Sequence, residues 1–217
     1  MSRFQSAHEH LPAESFAKPS YLLGVAFWAI ASIGGFWSLL SYSTTPGAAS
    51  PVQSVWPQES RIVPDRMRAN LVLLAHPRCP CSRASITQLG EILTRCEGLV
   101  CAHVLFLKPA QSSDGWEQRD LWVQAQSIPG VRVISDDEGA EARRFGAQTS
   151  GQVVLFDHNG FVRFRGGITI ARGHNGENMG RQAIVDWLTR GISDHSSAPV
   201  FGCRLFSDRD IDAEGRR

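Results

Sequence analysis

The stretch LVLLAHPRCPCSRASITQLGEIL, residues 71–93, carries two cysteines that are separated by a single proline. An apolar run typical of a buried strand precedes Cys79, and apolar residues at helical spacing follow Cys81. The pair therefore falls at a predicted strand-to-helix turn. Two thiols at such a turn can form a reversible disulfide, bind a soft metal ion, or remain inert.

Strand and helix patterns alternate along the chain beyond this turn. Short apolar runs predict buried strands, and apolar residues three or four positions apart predict helices. Near the end, Asn159-Gly160 lies between two strand-like runs, which is a strong signal for a β-hairpin. The order β-α-β-α-β-α-β-β-α indicates an α/β sandwich in which helices join parallel strands. Strands are predicted at 70–76, 100–107, 131–136 and within 151–166, and helices at 82–95, 115–128, 138–146 and 179–191.

The segment YLLGVAFWAIASIGGFWSLLSYS, residues 21–43, contains no charged residue. At about 1.5 Å of rise per residue, a helix of this length crosses a hydrocarbon core of roughly 30 Å. The run is longer than the apolar region of a signal peptide, although the small residues in TPGAAS keep cleavage as an alternative. The sequence therefore predicts an N-terminal transmembrane helix.

Basic residues flank this segment unevenly. Arg3 and Lys18 precede it, and the next basic residue along the chain is Arg61. The positive-inside rule then places residues 1–20 in the cytoplasm and everything after residue 43 outside. In a bacterium this is a single-pass protein of the inner membrane with its C-terminal domain in the periplasm, where disulfides persist.

The rest of the chain divides by composition. Residues 44–66 are rich in Pro, Ser and Gly and are predicted to be a linker. The strand and helix patterns predict one domain over 67–192, and residues 193–217 form a C-terminal tail that contains Cys203. The formal net charge of +1 gives no electrostatic footprint for nucleic acid, so nucleic-acid binding is not expected.

The order of elements and the cysteine motif resemble the thioredoxin fold over about residues 55–192. The stretch FGAQTSGQVVLF, residues 145–156, lies where thioredoxins enter the hairpin. The resemblance implies a three-layer sandwich with a mixed central sheet flanked by helices. It also implies a redox-active disulfide that acts on protein thiols or disulfides and needs no bound cofactor. More narrowly, the chain resembles the RedB-like, thioredoxin-like membrane proteins of bacteria in its anchor and in the segments HPRCPCSRAS (76–85), GGITIARGHNGENMG (166–180) and APVFGCRL (198–205).

Three positions depart from the thioredoxin pattern. The cysteines are one residue apart, where the family has two residues between them. The family's cis-proline, which faces the cysteines, matches Gly151, and its buried acidic residue matches Leu73. The resemblance therefore implies that Pro80 and Gly151 contact the protein substrate. It also implies that His76 takes over the proton handling that Leu73 cannot supply.

The place of the two cysteines favours redox chemistry. A thiolate is the reactive form of cysteine, and a helix N-terminus stabilises negative charge. Arg78 and Arg83 add positive charge, so Cys79 is the predicted attacking thiol and Cys81 the thiol that resolves the mixed disulfide. Because a ring closed across one intervening residue is tight, we expect this disulfide to be strained and easily reduced.

A metal site is the alternative interpretation of the same cysteines. Two soft thiolates side by side suit Cu(I) or Zn(II). The expected function is then binding or delivery of copper, as in the copper-delivery proteins that the fold and anchor also resemble. The family's cis-proline helps to keep metal ions away from the cysteines, which Gly151 would not do. His174 and Cys203 are the further candidate ligands, although His174 also fits a solvent-facing loop position, in a glycine-rich loop expected beside the site.

The remaining cysteines have separate interpretations. Cys96 and Cys101 end a helix and begin a strand, so a structural disulfide across this turn is predicted for an exported domain, with small buried side chains as the alternative. Cys203 is the odd cysteine. It is a resolving thiol, a third metal ligand or an intermolecular link if it meets a partner. A free surface thiol or a packed tail is favoured over contact with Cys79.

Overall fold

A computed structural model describes residues 19–48 and 54–206 of the chain. The first helix, α1 (Pro19–Thr44), covers the uncharged segment 21–43 and buries none of its side chains. It is long and apolar enough to cross a membrane, as the sequence predicted. Residues 1–18 of the predicted cytoplasmic tail and residues 207–217 at the other end lie outside the described residues.

The chain divides after Ser41 into two units, and the second is built on a mixed sheet. Its strands in the described residues are β1 (Ala69–Ala75), β2 (Val100–Lys108), β3 (Val131–Asp137), β4 (Gln152–Phe156), β5 (Val162–Gly166) and β6 (Ser197–Ala198). They lie in the order β3-β2-β1-β4-β5-β6. The first three strands are parallel, β4 runs antiparallel to β1 and β5, and β6 adds parallel to β5.

Helices cover both faces of this sheet. Side chains alternate between the faces along a strand. Leu71 and Leu73 of β1 therefore pack in one core, and Val72 and Leu74 pack in the other. This arrangement confirms the predicted three-layer sandwich. The first core includes α2 (Pro80–Arg95), α3 (Asp120–Gln126) and α5 (Met179–Arg190), and the second includes α4 (Ala140–Arg144).

The hairpin predicted at Asn159-Gly160 is present between β4 and β5. The carboxylate of Asp157 accepts the N–H groups of Asn159 and Phe161, each at 2.9 Å. Gly160 adopts a φ of +84°, a conformation that glycine tolerates without strain. The turn therefore forms for the local reasons that the sequence indicated.

One predicted helix is shorter than expected. The pattern over 115–128 predicted a single helix, but α3 begins only at Asp120. Gly115 takes a φ of +72°, and the amide of Gln118 closes a tight turn on its carbonyl at 3.0 Å. This turn interrupts the helical pattern and leaves Trp116 free to pack elsewhere.

The folded domain is larger than the predicted span 67–192. Residues from Ser54 onward belong to it, although the sequence assigned them to a linker: Trp56 packs its ring 4.9 Å from that of Phe156, and Ile62 is buried. Beyond residue 192, Val200 and Leu205 are also buried. Apolar side chains at these positions give the two flanking segments enough surface to pack on the sheet.

Candidate active site

The turn between β1 and α2 holds the two cysteines of the motif. Cys79 is the N-cap residue of α2, with extended backbone, and Pro80 is the first residue of the helix, where its missing N–H costs nothing. The Cys79 amide donates to the His76 carbonyl at 3.1 Å, and the Ser82 amide donates to the Cys79 carbonyl at 3.0 Å. Both cysteines therefore lie at the positive end of the helix dipole.

A third cysteine meets this turn from the far end of the chain. The Sγ atom of Cys203 lies 2.9 Å from that of Cys79, and the three sulfurs of Cys79, Cys81 and Cys203 lie within 4.8 Å of one another. Cys79 and Cys81 are 2% and 8% exposed, whereas Cys203 is half-buried. The sequence favoured a surface thiol or a packed tail for Cys203, and the structure instead gives the contact with Cys79.

Backbone hydrogen bonds hold the C-terminal segment, residues 202–205, in this place. The Ser150 amide donates to the Cys203 carbonyl and the Leu205 amide to the Gln148 carbonyl, both at 2.8 Å. Thr149 and Arg204 form the antiparallel bridge between them. The C-terminal segment thus adds as a short strand along residues 148–150, which we call the docking edge.

Gly202 permits this approach. A Cβ atom on Gly202 would lie 1.9 Å from the carbonyl oxygen of Ser150, so the two backbones meet where no other side chain fits. The guanidinium of Arg172 donates to the Gly202 carbonyl. In the sequence, the apolar residues around Gly202 and Cys203 were the available signal that this tail packs.

The thiols differ in acidity because of their surroundings. Burial by itself raises the pKa of Cys79, but hydrogen bonds from Cys203 and from Ser82 outweigh it and lower that pKa below the usual thiol value. Burial, and then the charge of Cys79, raise the pKa of Cys81. Burial and the contact with Cys79 raise the pKa of Cys203 to about 12. The first proton to leave the cluster therefore comes from Cys79.

His76 lies next to the cluster, half-buried. Its ring packs edge-on against Trp116 with centroids 5.9 Å apart, and its Nδ1 accepts the Arg78 amide at 3.2 Å. Within the described part of the chain, its imidazole makes no hydrogen bond to the three sulfurs. Burial, and then the charge of Arg78, lower the pKa of His76, so the ring is neutral near pH 7.

Gly151, which the resemblance places opposite the cysteines, packs against Ser85 of α2. Its amide donates to the Leu74 carbonyl at 2.7 Å, and a Cβ atom on it would lie 2.7 Å from Ser85 Oγ, one turn further along α2. The residue that reaches the start of α2 is Ser150, whose Oγ lies 2.6 Å from Ser82 Oγ.

Known proteins share this architecture but not a recognisable sequence. No family model and no curated protein sequence match the chain. Among solved structures, a hypothetical protein from Sinorhizobium meliloti matches with a TM-score of 0.56 at 19% identity, over 73% of this chain and 97% of its own. An uncharacterized conserved protein from Geobacillus kaustophilus matches with a TM-score of 0.54 at 16% identity, over 76% of this chain and 93% of its own.

A secreted disulfide oxidoreductase from Mycobacterium tuberculosis, homologous to E. coli DsbE, also matches, with a TM-score of 0.36 at 13% identity over 44% of this chain and 66% of its own.

The topology of this chain itself agrees with the predicted fold in its strand order, in the helix that opens at the cysteine turn and in the late hairpin with its closing helix. The chain has a thioredoxin-like fold.

The disulfide predicted between Cys96 and Cys101 is absent from the thioredoxin-like domain, and both thiols are free and buried. Cys96 ends α2 and packs in the core that contains α2, together with Val100 and Ala102 of β2. Strand alternation turns Cys101 to the opposite face, where its sulfur lies 3.6 Å from His103 Nε2. The sheet separates the two sulfurs, and the alternative of small buried side chains holds.

The glycine-rich loop contributes differently from what the sequence suggested. His174 is exposed, and its Nδ1 lies 2.8 Å from the Arg172 carbonyl. In the described residues, the cluster of possible metal ligands contains the three cysteines and not His174. Asn178 accepts the Arg181 amide at 2.8 Å and caps α5, which is a structural role. Among these three loop residues, Arg172, His174 and Asn178, it is Arg172 that donates to the C-terminal segment, at the Gly202 carbonyl.

The acidity of Cys79 can be measured by alkylation with iodoacetamide as a function of pH. In the Cys81→Ser chain, we expect half-maximal modification of Cys79 below the ordinary thiol value of about 8.5. Adding Cys203→Ala removes the hydrogen bond that Cys203 donates to the Cys79 thiolate. The thiolate is then less stable relative to the neutral thiol, so the midpoint should move upward. Mass spectrometry of the peptide 79–83 reports the site.

The matched control is Cys203→Ser in the same chain. Its hydroxyl keeps a donor near Cys79, so the midpoint should stay close to that of the parent. A midpoint in the Cys203→Ala variant equal to that of the parent would show that Cys203 does not stabilise the Cys79 thiolate.

Proposed function

We propose that this protein is a membrane-anchored thiol–disulfide oxidoreductase that acts on protein thiols or disulfides outside the cytoplasm. The observation that carries the proposal is the position of Cys79. Its sulfur lies at the N-terminus of α2, is the most acidic of the cluster, and has a second thiol 2.9 Å away. A nucleophilic thiolate beside a second thiol is the arrangement that disulfide exchange requires.

The exchange begins at Cys79. Its thiolate attacks one sulfur of a substrate disulfide and breaks that bond, so one substrate sulfur leaves as a thiolate and takes up a proton. A second thiol of the cluster then loses its proton and attacks Cys79 Sγ, which releases the other substrate sulfur. The substrate gains two electrons and two protons, and the enzyme is left with a disulfide.

Other residues near the turn support this chemistry. The proposal keeps His76 as the base that accepts a proton from the second thiol, since its imidazole is neutral. Its ring must turn toward the sulfurs for this step, because it makes no hydrogen bond to them in the described residues. Pro80 is exposed beside the sulfurs and is open to a docked protein. The redox-active disulfide is the only reactive group that this proposal requires, and no cofactor enters the exchange.

A copper-binding module is the second candidate function. Three thiolates within 4.8 Å of one another suit Cu(I). The short contact between Cys79 and Cys203 weighs against this candidate. Metal–sulfur bonds as long as Zn–S, about 2.3 Å, hold two thiolates of a tetrahedral or trigonal ion at least about 3.8 Å apart, so an ion requires these sulfurs to separate from 2.9 Å.

The location is part of the proposal. The helix α1 can cross a membrane, and the basic residues Arg3 and Lys18 favour a cytoplasmic N-terminus. The domain after it then lies in the periplasm of a bacterium, anchored to the inner membrane, as the RedB-like resemblance implies. Disulfides form and persist in that compartment.

Insulin reduction with dithiothreitol as electron donor tests the proposed activity. We expect the full chain in detergent to catalyse turnover, and Cys79→Ala to lower its rate at least about a thousandfold, because the nucleophile is gone. Cys101→Ala is the matched control. This cysteine is buried on β2, away from the cluster, so its removal should leave turnover unchanged.

Turnover that survives Cys79→Ala would contradict the proposal. A titration of the same proteins with Cu(I) separates the second candidate. One tightly bound ion per chain, lost in Cys79→Ala and accompanied by no turnover, would favour the copper module over the oxidoreductase.

Protease digestion of spheroplasts tests the location. We expect a protease added from outside to degrade the domain after α1 while the membrane stays intact, because the domain faces the periplasm. A cytoplasmic protein in the same cells is the control for intact membranes. A domain that survives until the cells are lysed would place it in the cytoplasm.

A further inference from the structure

We propose that Cys203 is the resolving cysteine of the exchange, that the functional disulfide joins Cys79 to Cys203, and that the C-terminal segment occupies in cis the strand position of a protein substrate. This inference deepens the proposed function and rests on it. It assigns to Cys203 the role that the sequence assigned to Cys81.

Distance favours Cys203 as the partner of Cys79. Their sulfurs are 2.9 Å apart, close enough for a small motion to bring them to the disulfide bond length of about 2.05 Å. The two cysteines are 124 positions apart in the sequence, so their disulfide does not close the tight ring that a bond between Cys79 and Cys81 would form. A bond across one intervening residue at the start of a helix must strain its backbone.

The docking edge explains how Cys203 is held. Extended peptides bind many proteins by adding a strand to a free sheet edge, with the backbone supplying hydrogen bonds. Residues 203–205 make this kind of pairing with residues 148–150. The cysteine of the C-terminal segment thereby stands over Cys79 as the cysteine of a docked substrate would.

The C-terminal segment also controls access to Cys79. Cys79 is 2% exposed with the C-terminal segment in place, so a protein disulfide reaches it only when that segment lifts from the docking edge. Burial first, and the contact with the Cys79 thiolate second, raise the pKa of Cys203. Once the substrate is joined to Cys79, the second of these causes is gone. The segment then returns, and the Cys203 thiolate attacks Cys79 Sγ, forming the Cys79–Cys203 bond and expelling the substrate thiolate, which takes up a proton.

Glutathione disulfide, as a small disulfide substrate, tests this assignment in the full chain in detergent. Trypsin cuts after Arg78, Arg83, Arg190 and Arg204. A bond from Cys79 to Cys203 therefore links peptide 79–83 to peptide 191–204, whereas a bond from Cys79 to Cys81 lies within one peptide. After oxidation, quenching and digestion without reductant, we expect the linked pair in the parent chain and in Cys81→Ser.

Variants then identify the resolving thiol. With Cys203→Ser, we expect the glutathione adduct of Cys79 to accumulate at least about tenfold above the parent, because the second step is lost. With Cys81→Ser, the adduct should stay at the parent level. The opposite pattern, or a bond within peptide 79–83 in the parent, would overturn the inference while leaving Cys79-dependent turnover, and thus the proposed function, intact.

Gly202→Ala tests the docking edge without removing a cysteine. Its Cβ cannot fit against the Ser150 carbonyl, so the C-terminal segment should leave the edge. At a pH where the Cys79 thiolate is fully formed in both proteins, alkylation of Cys79 should then accelerate by about tenfold or more, because access alone differs. Gly90→Ala, in α2, is the matched control and should not change the rate, because its Cβ would meet only the Ile128 side chain at an ordinary distance of 3.7 Å. Equal rates for Gly202→Ala and the parent would overturn the role of the edge.

Discussion

The antiparallel pairing between the C-terminal segment and the docking edge sets the surroundings of Cys79. It places a third sulfur over the first turn of α2, where Cys79 is 2% exposed and Cys203 itself stays half-buried. The pairing depends on one close approach, that of Gly202 to the Ser150 carbonyl. A side chain at that position would part the two backbones, and the cluster would reduce to the two cysteines of the motif.

The acidity of Cys79 shows how burial and hydrogen bonding compete. Burial favours the neutral thiol, and in an apolar pocket it would leave Cys79 unreactive at neutral pH. Hydrogen bonds from Cys203 and Ser82, together with the N-terminus of α2, act on the thiolate and reverse the balance. The C-terminal segment therefore has two opposed effects, because it hides the nucleophile from large substrates while it stabilises the reactive form.

Features that depend on local chemistry could be predicted from the sequence. The cysteine turn, the strand before it and the helix after it follow from apolar spacing and from Pro80 at the first helical position. The hairpin follows from Asn159-Gly160. The anchor follows from 23 uncharged residues in a row, 21–43, and the structure gives a helix that can span a membrane.

Features that depend on long-range packing could not be predicted in the same way. The contact between Cys79 and Cys203 joins positions 124 residues apart, and no local pattern specifies it. The expected disulfide between Cys96 and Cys101 does not form because the two side chains lie on opposite faces of the sheet. Closeness in sequence does not reveal the face to which a strand residue points. His174 failed as a ligand because its loop turns its ring to solvent. Composition likewise missed the packing of residues 54–66, where a few apolar side chains anchor a segment rich in Pro and Ser.

Amide hydrogen exchange at the docking edge tests the central claim most directly, because that claim is the backbone pairing itself. In the reduced full chain, the amides of Ser150 and Leu205 each donate to a carbonyl across the edge, so we expect both to exchange much more slowly than exposed amides. Both should lose this protection together in Gly202→Ala. Rapid exchange of both amides in the parent chain would show that the C-terminal segment does not occupy the edge, and its proposed control of Cys79 would be wrong.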